Sequence, residues 1–155
     1  TGREDAVLGD ALVADPNAEK LHEVVSDRAD LTRRLDHFLT ESESIIPEAS
    51  KALACGDLER FGRMADESQR AAEDLLGNQV PQTSALARIA RELGATGATS
   101  FGAGFGGSVW ALVPNAEAPE FASTWLGKYR DEYSEEAGQA VTVVTRPGPS
   151  ARRLD

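Results

Sequence analysis

One short segment constrains the fold of this chain more than any other: four glycines within residues 102–107, followed by the apolar residues 109–113 and then Pro114. Glycine has no Cβ, so it lets the backbone take positive φ and lets another group approach closely. Residues 95–101 and 108–113, which flank the glycines, have the composition of strands. We therefore predict a β-hairpin whose strands are joined by a glycine-rich loop.

This loop is also the strongest candidate for a binding site. Successive exposed backbone amides can form a concavity that binds an anion, whereas a tight turn without a ligand would need the same glycines; the residues alone leave both interpretations open. We expect positive φ or a close backbone approach at Gly106. The candidate site comprises Gly102, Ala103, Gly104, Phe105, Gly106 and Gly107.

Two familiar glycine motifs are excluded by the residues that follow the loop. Gly102, Gly104 and Gly107 satisfy Gly-x-Gly-x-x-Gly, but a dinucleotide site of that kind needs a helix next, and residues 108–113 predict a strand. A Walker-type phosphate loop is excluded because no Gly-Lys-Ser/Thr follows the glycines.

Amphipathic helices are predicted on both sides of the hairpin. Apolar residues recur at helical spacing from residue 31 to residue 53, and Pro47 should kink or split that helix. Gly56 is placed to end it and Asp57 to cap the next helix, which stops at Gly77-Asn78. Two further helices are predicted over 81–93 and 119–133.

The whole chain, 1–155, is predicted to be one α+β domain, with helices on one face of a small, mainly antiparallel sheet. Two short helices broken at 15–17 give an N-terminal extension over 1–30, a last strand covers 140–145, and 147–155 form a tail. Since 109–113 are apolar on both sides, we expect the second sheet face to contact another domain or a second copy of the chain, as a homodimer.

Composition narrows the classes of function. A formal net charge of -10 argues against nucleic acid and against anionic membranes as partners. Cys55 is the single cysteine and no apolar run is long enough to span a membrane, so we expect a cytoplasmic protein. The chain begins at Thr1 without an initiator methionine, and we expect it to belong to a longer polypeptide.

Outside the loop, no complete active site is predicted. His37 is interpreted as a boundary histidine with a satisfied hydrogen bond, His22 has no partner at helical spacing, and Cys55 is a poor candidate for a nucleophile. Two histidines without cysteine spacing make a metal site improbable. Acidic residues on the outer helix faces are interpreted as a solvated surface: Glu41, Glu43, Glu48, Asp66, Glu67, Glu73 and Asp74.

Three segments together resemble one family. Residues 97–113, GATSFGAGFGGSVWALV, resemble the glycine-rich third motif of the GHMP small-molecule kinases, in the form found in galactokinases. Residues 37–43, HFLTESE, and 52–62, ALACGDLERFG, resemble the paired helices that precede this motif in galactokinase C-terminal halves.

The resemblance implies a ferredoxin-like C-terminal domain of an ATP-dependent kinase that makes a sugar 1-phosphate. In that family an N-terminal domain of the same polypeptide supplies the phosphate loop, the catalytic aspartate and most of the contacts to ATP and Mg²⁺. The resemblance thus implies no catalytic residue in this chain, and assigns loop residues 102–107 to the cleft that holds phosphate and sugar.

Two positions depart from the galactokinase pattern, so the resemblance does not fix which sugar is used. Ser68-Gln69 stands where galactokinases carry Ser-His, and residues 79–86, QVPQTSAL, replace a Ser-x-x-Glu-Leu segment. The alternative function is a stand-alone, non-catalytic module of the same fold that binds a partner protein or a small anion.

Overall fold

A computed structural model describes residues 7–135 and 137–148 of the chain. Seven α-helices and one β-hairpin follow one another within these residues. In chain order the elements are α1 (Leu8–Ala14), α2 (Glu19–Val25), α3 (Ala29–Leu39), a first π-helical segment (Thr40–Ile45), α4 (Ile46–Cys55), α5 (Leu58–Ala71), a second π-helical segment (Ala72–Leu76), α6 (Pro81–Glu92), β1 (Gly97–Phe101), β2 (Ser108–Leu112), α7 (Ala118–Glu132) and a 3-10 turn (Ala137–Gln139).

The predicted helix around Pro47 does not split. α3, the first π segment and α4 follow one another without a break, so Pro47, two residues after the π segment, lies inside a continuous helical run and donates no N–H to the preceding turn. The wider π turn lies directly before the proline and takes up the change in hydrogen-bond pattern. Gly56 then ends the helix at φ +72°, and the Asp57 side chain accepts the Arg60 N–H at 2.9 Å, so both predicted caps are confirmed.

The predicted hairpin is confirmed, and its two strands are the whole sheet within the described residues. β1 and β2 pair antiparallel, with Gly97 opposite Leu112 and Phe101 opposite Ser108. This arrangement of helices around an antiparallel sheet confirms the predicted α+β class.

The predicted last strand, 140–145, is wrong. Val141 and Val143 are 80% and 82% exposed, and the segment forms neither helix nor strand. Valine favours strands because its side chain packs on a pleated surface, and no neighbouring strand among the described residues offers one. The start of the N-terminal extension (residues 1–6) and most of the predicted tail (149–155) lie outside the described residues.

Helices cover both faces of the hairpin, whereas the sequence predicted one. On the first face α5 contacts β1, and the Phe61 ring stacks 6.2 Å from the ring of Trp110. On the second face Ala87 and Ala90 of α6 form a buried cluster with Ala98, against which Val109 and the α7 side chains pack. The apolar residues on both sides of β2 are thus covered by helices of the same chain. Contact with a second copy stays a prediction, but an uncovered sheet face no longer supports it.

Two glycines bring α5 unusually close to the sheet. A Cβ placed on Gly62 would overlap the carbonyl oxygen of Thr96 and lie 2.8 Å from its carbonyl carbon. A Cβ on Gly97 would lie 3.1 Å from the Cα of Gly62 and 3.3 Å from the Cβ of Ala65. No room exists for any side chain at Gly62, so the helix and the strand touch backbone to backbone.

We expect Gly62→Ala to lower the free energy of unfolding by about 1–3 kcal/mol, because the methyl group would force α5 off β1. The matched control is Gly127→Ala in α7, where nothing lies within 4 Å of the added Cβ. That change should raise stability by about 0.5–1 kcal/mol, the usual gain for alanine over glycine in a helix. Urea unfolding of both variants measures the difference, and equal effects would contradict the close contact.

A histidine that the sequence left without a partner joins α2 to α3. The Nε2 atom of His22 lies 2.7 Å from the Asp36 carboxylate, and its Nδ1 lies 2.8 Å from the carbonyl oxygen of Ala18. Both partners are acceptors, so only the protonated ring can donate to both. The hydrogen bond to Asp36 is the main cause that raises the pKa of His22, and the bond to Ala18 adds to it.

We expect His22 to titrate above its ordinary pKa of about 6.5. A raised pKa in the folded state means that the contribution of His22 to stability is complete below the unfolded pKa and is lost as pH rises through the folded pKa. NMR titration of the imidazole measures this, and Asp36→Asn should lower the pKa. Asp30→Asn is the control, since Asp30 pairs with Arg28 instead. A wild-type pKa at or below the ordinary value would contradict the assignment.

Candidate functional site

The glycine loop, residues 102–107, lies at the tip of the hairpin and has a backbone that few side chains allow. Positive φ occurs at Gly102 (+81°), Gly104 (+79°), Phe105 (+58°), Gly106 (+108°) and Gly107 (+94°). The predicted positive φ at Gly106 is confirmed. Ala103 is the one residue of the loop without positive φ, so the glycines are required by the path of the chain.

Phe105 takes a left-handed conformation although it has a side chain. Its backbone N–H donates to the carbonyl oxygen of Asn78, which lies between the second π segment and α6. Phe105 is 71% exposed, and Phe101, at the end of β1, is 68% exposed. The contact with Asn78 compensates for the backbone strain, and two aromatic rings are left on the surface beside the loop.

Asn78 holds the loop by a second bond and by shape. Its buried side chain donates from Nδ2 to the carbonyl oxygen of Ala103 at 2.9 Å. A Cβ on Gly104 would lie 2.5 Å from that Nδ2 atom and 2.6 Å from Cγ. The close approach that the sequence predicted for the loop is therefore at Gly104, against Asn78; at Gly106 the nearest atom to an added Cβ is a Val80 methyl at 4.0 Å.

Gln69, on α5, holds the strand that leads into the loop. Its Oε1 accepts from the Ser100 N–H at 2.8 Å and from the Thr99 hydroxyl at 2.9 Å, and its Nε2 donates to Glu73 at 2.8 Å. The Gln69 side chain is buried, so these bonds are protected from water. The last residues of β1 are thereby tied to α5.

Most amides of the loop are left to bind something else. Of the loop residues, only Phe105 donates its N–H to an acceptor within residues 7–135 and 137–148; the N–H groups of Gly102, Ala103, Gly104, Gly106 and Gly107 do not. At Gly107 an added Cβ would meet nothing within 4 Å. Backbone N–H groups are obligatory hydrogen-bond donors, so these amides bind water or an anion. The loop can thus offer directed donors to a phosphate or carboxylate oxygen.

The other residues considered in the sequence lie apart from the loop or serve the scaffold. His37 is half-buried and finds no hydrogen-bond partner among the described residues, so its predicted bond is absent there. Cys55 is exposed at the end of α4. Within the described ranges, no group of three His, Cys, Asp or Glu side chains could hold a metal ion, and no helix is long and apolar enough to cross a membrane.

The interpretation of the acidic residues as a solvated surface is wrong for Glu41, Glu48 and Asp66, which are half-buried and bond between helices, whereas Glu73 is exposed as predicted. Glu41 accepts from the Ser68 hydroxyl at 2.6 Å, joining the first π segment to α5. The remaining pairs are Glu48 with Lys51 and Arg60, Asp66 with Arg91, and Glu73 with Gln69.

Sequence reasoning missed the two residues that hold the loop. Asn78 was interpreted only as part of the helix end Gly77-Asn78, and Gln69 only as a departure from a family pattern. A buried amide side chain 25 or more residues before its partner leaves no periodic signal, so neither contact could be found before the fold was known.

The fold and the loop together define an α+β domain that presents backbone donors from a glycine-rich hairpin, clamped by helices on both sides. Residues 48–131 match the family model described as GHMP kinases C terminal. The matched residues run from α4 to α7 and include the loop, Gln69 and Asn78. Because the match covers more than half of the chain, this chain belongs to the GHMP kinase C-terminal family.

The contact between Gly104 and Asn78 generates a test with a matched control. We expect Gly102→Ala to cost about 1–2 kcal/mol of stability from positive φ alone, since nothing lies within 4 Å of its added Cβ. Gly104→Ala has nearly the same φ and should cost at least about 1 kcal/mol more, since its methyl group overlaps Asn78. Thermal or urea unfolding measures both, and equal losses would mean that Asn78 does not press on Gly104.

Proposed function

We propose that this chain is the substrate-side domain of an ATP-dependent, galactokinase-like sugar kinase that phosphorylates a monosaccharide at its anomeric hydroxyl. The observation that carries the proposal is the set of free loop amides, among them those of Gly106 and Gly107, within a family whose members are kinases. The reaction makes phosphate charge that must be stabilised, and fixed amides do so without reorganising.

The proposal assigns the remaining machinery to an N-terminal kinase domain of the same polypeptide. That domain would bind most of the ATP and the Mg²⁺ and supply the catalytic aspartate, so this chain alone is inactive. ATP supplies the phosphoryl group when it is bound. The part of this chain is to donate the N–H groups of the loop to a phosphate oxygen in the shared cleft and to line that cleft beside the sugar.

The contacts of Gln69 do not identify which sugar is the substrate. This residue stands where the resembling galactokinases carry histidine, and its side chain is taken up by Thr99, Ser100 and Glu73. A side chain engaged with the scaffold does not select a substrate directly. A panel of monosaccharides is therefore needed in any assay.

The test uses the polypeptide that joins this chain to its N-terminal domain, incubated with MgATP and each monosaccharide. ³¹P NMR of the products identifies a sugar 1-phosphate and the sugar that gives it. Formation of a sugar 1-phosphate supports the proposal. Phosphorylation at another hydroxyl, or of a substrate that is not a sugar, would overturn the specificity, and a gene without an N-terminal kinase domain would favour the non-catalytic module.

Substitution of two glycines with nearly the same φ tests whether the loop takes part in the reaction or only in the fold. Gly107 (φ +94°) and Gly94 (φ +91°) are both exposed with nothing within 4 Å of an added Cβ, but Gly94 ends α6 away from the loop. Alanine at either position should lower stability similarly, by about 1–2 kcal/mol. We expect kcat/KM to fall about tenfold or more in Gly107→Ala alone. Equal activity in both variants would remove the loop from the reaction.

A further inference from the structure

The loop depends on one residue that lies outside the hairpin. Asn78 contacts three consecutive loop residues: its carbonyl oxygen accepts from Phe105, its Nδ2 donates to Ala103, and its Cγ abuts Gly104. We infer that Asn78 is a positioning residue, which holds the loop so that the amides of Gly106 and Gly107 stay directed at a phosphate group. The inference rests on the proposed function for the identity of that ligand.

Asn78 is itself held on both sides. Gly77, at φ +63°, ends the second π segment, and the Asn78 N–H lies 3.4 Å from the carbonyl oxygen of Ala72. Its Oδ1 accepts from Gln79 Nε2 at 2.9 Å. An amide whose oxygen is taken by a donor must turn its NH₂ group the other way, which is toward Ala103.

A second layer extends this support into α6. The Oε1 of Gln79 lies 2.9 Å from the hydroxyl of Thr83, which is almost fully buried in the first turn of that helix. The orientation of Asn78 is thus supported by a chain of amide and hydroxyl groups outside the hairpin, in addition to its bonds to the loop.

A loop of this composition needs such a support. Glycine has more conformations to lose on ordering than any other residue, so a segment with four glycines would be mobile when held only by its two strands. A donor loop that is already ordered binds more tightly, because less conformational freedom is lost on binding. Asn78 contacts residues 103–105, so it can order the loop without occupying the amides of Gly106 and Gly107.

Two substitutions separate the hydrogen bond from the bulk of the side chain. Asn78→Ala removes both, whereas Asn78→Asp keeps the shape and replaces the NH₂ donor with an oxygen that faces the carbonyl of Ala103. Asn115→Ala, at an exposed position after β2, is the control.

The first measurement is amide hydrogen exchange of Phe105 in this chain, because its N–H is hydrogen-bonded to Asn78, whereas the free amides of Gly106 and Gly107 have no protection to lose. We expect exchange to become at least about tenfold faster in both Asn78 variants and to stay unchanged in Asn115→Ala. Unchanged exchange in the Asn78 variants would overturn the inference, whatever the kinase assays show.

The second measurement is steady-state kinetics of the full polypeptide. We expect one of two constants to rise about tenfold in the Asn78 variants. A rise in the KM for MgATP would mean that the loop contacts a phosphate of ATP, and a rise in the inhibition constant of the sugar 1-phosphate would mean that it contacts the phosphate of the product. A purely structural role would lower the melting temperature and the active fraction but leave both constants unchanged, and that result would overturn the inference. Faster exchange in the variants, combined with a wild-type protein that phosphorylates nothing, would support the clamp and count against the proposed function.

Discussion

The direct contact between α5 and β1 at Gly62 and Gly97 is the constraint on which the rest of the domain depends. Because neither residue has a side chain, the helix lies on the strand backbone to backbone. That distance brings Gln69 within reach of Thr99 and Ser100, two helical turns further along. α6 and α7 then close the opposite face of the hairpin with small and aromatic side chains.

The loop is positioned from the same helix at two points. Gln69 fixes the end of β1, and Asn78, just beyond the second π segment that continues α5, fixes residues 103–105. The hairpin and its tip therefore cannot move independently of α5. A site built from backbone amides needs such supporting contacts, because the direction of an N–H group is set by the φ and ψ angles of the backbone and by the contacts that fix those angles.

Local signals predicted most of the elements, and contacts between elements explain each failure. Helix periodicity, the Gly56 and Asp57 caps and the glycine-rich hairpin were evident because each depends on residues close in sequence. The strand at 140–145 failed because strand formation needs a partner that the composition of the segment cannot supply. The prediction that helices of this chain cover only one sheet face failed, because a period of two shows that both sides are apolar but not which helix covers them.

The sequence predicted where the glycine loop lies but not the contacts that shape it. The sequence marked residues 102–107, yet the need for glycine at 104 comes from Asn78 as well as from φ, and that need became visible only in three dimensions. A net charge of -10 does not by itself exclude a phosphate ligand at such a loop, because amide donors are uncharged dipoles that act at hydrogen-bond range. Selection for such a site would act on the residues that fix the loop, Gly62, Gln69 and Asn78, as strongly as on the residues that touch the ligand.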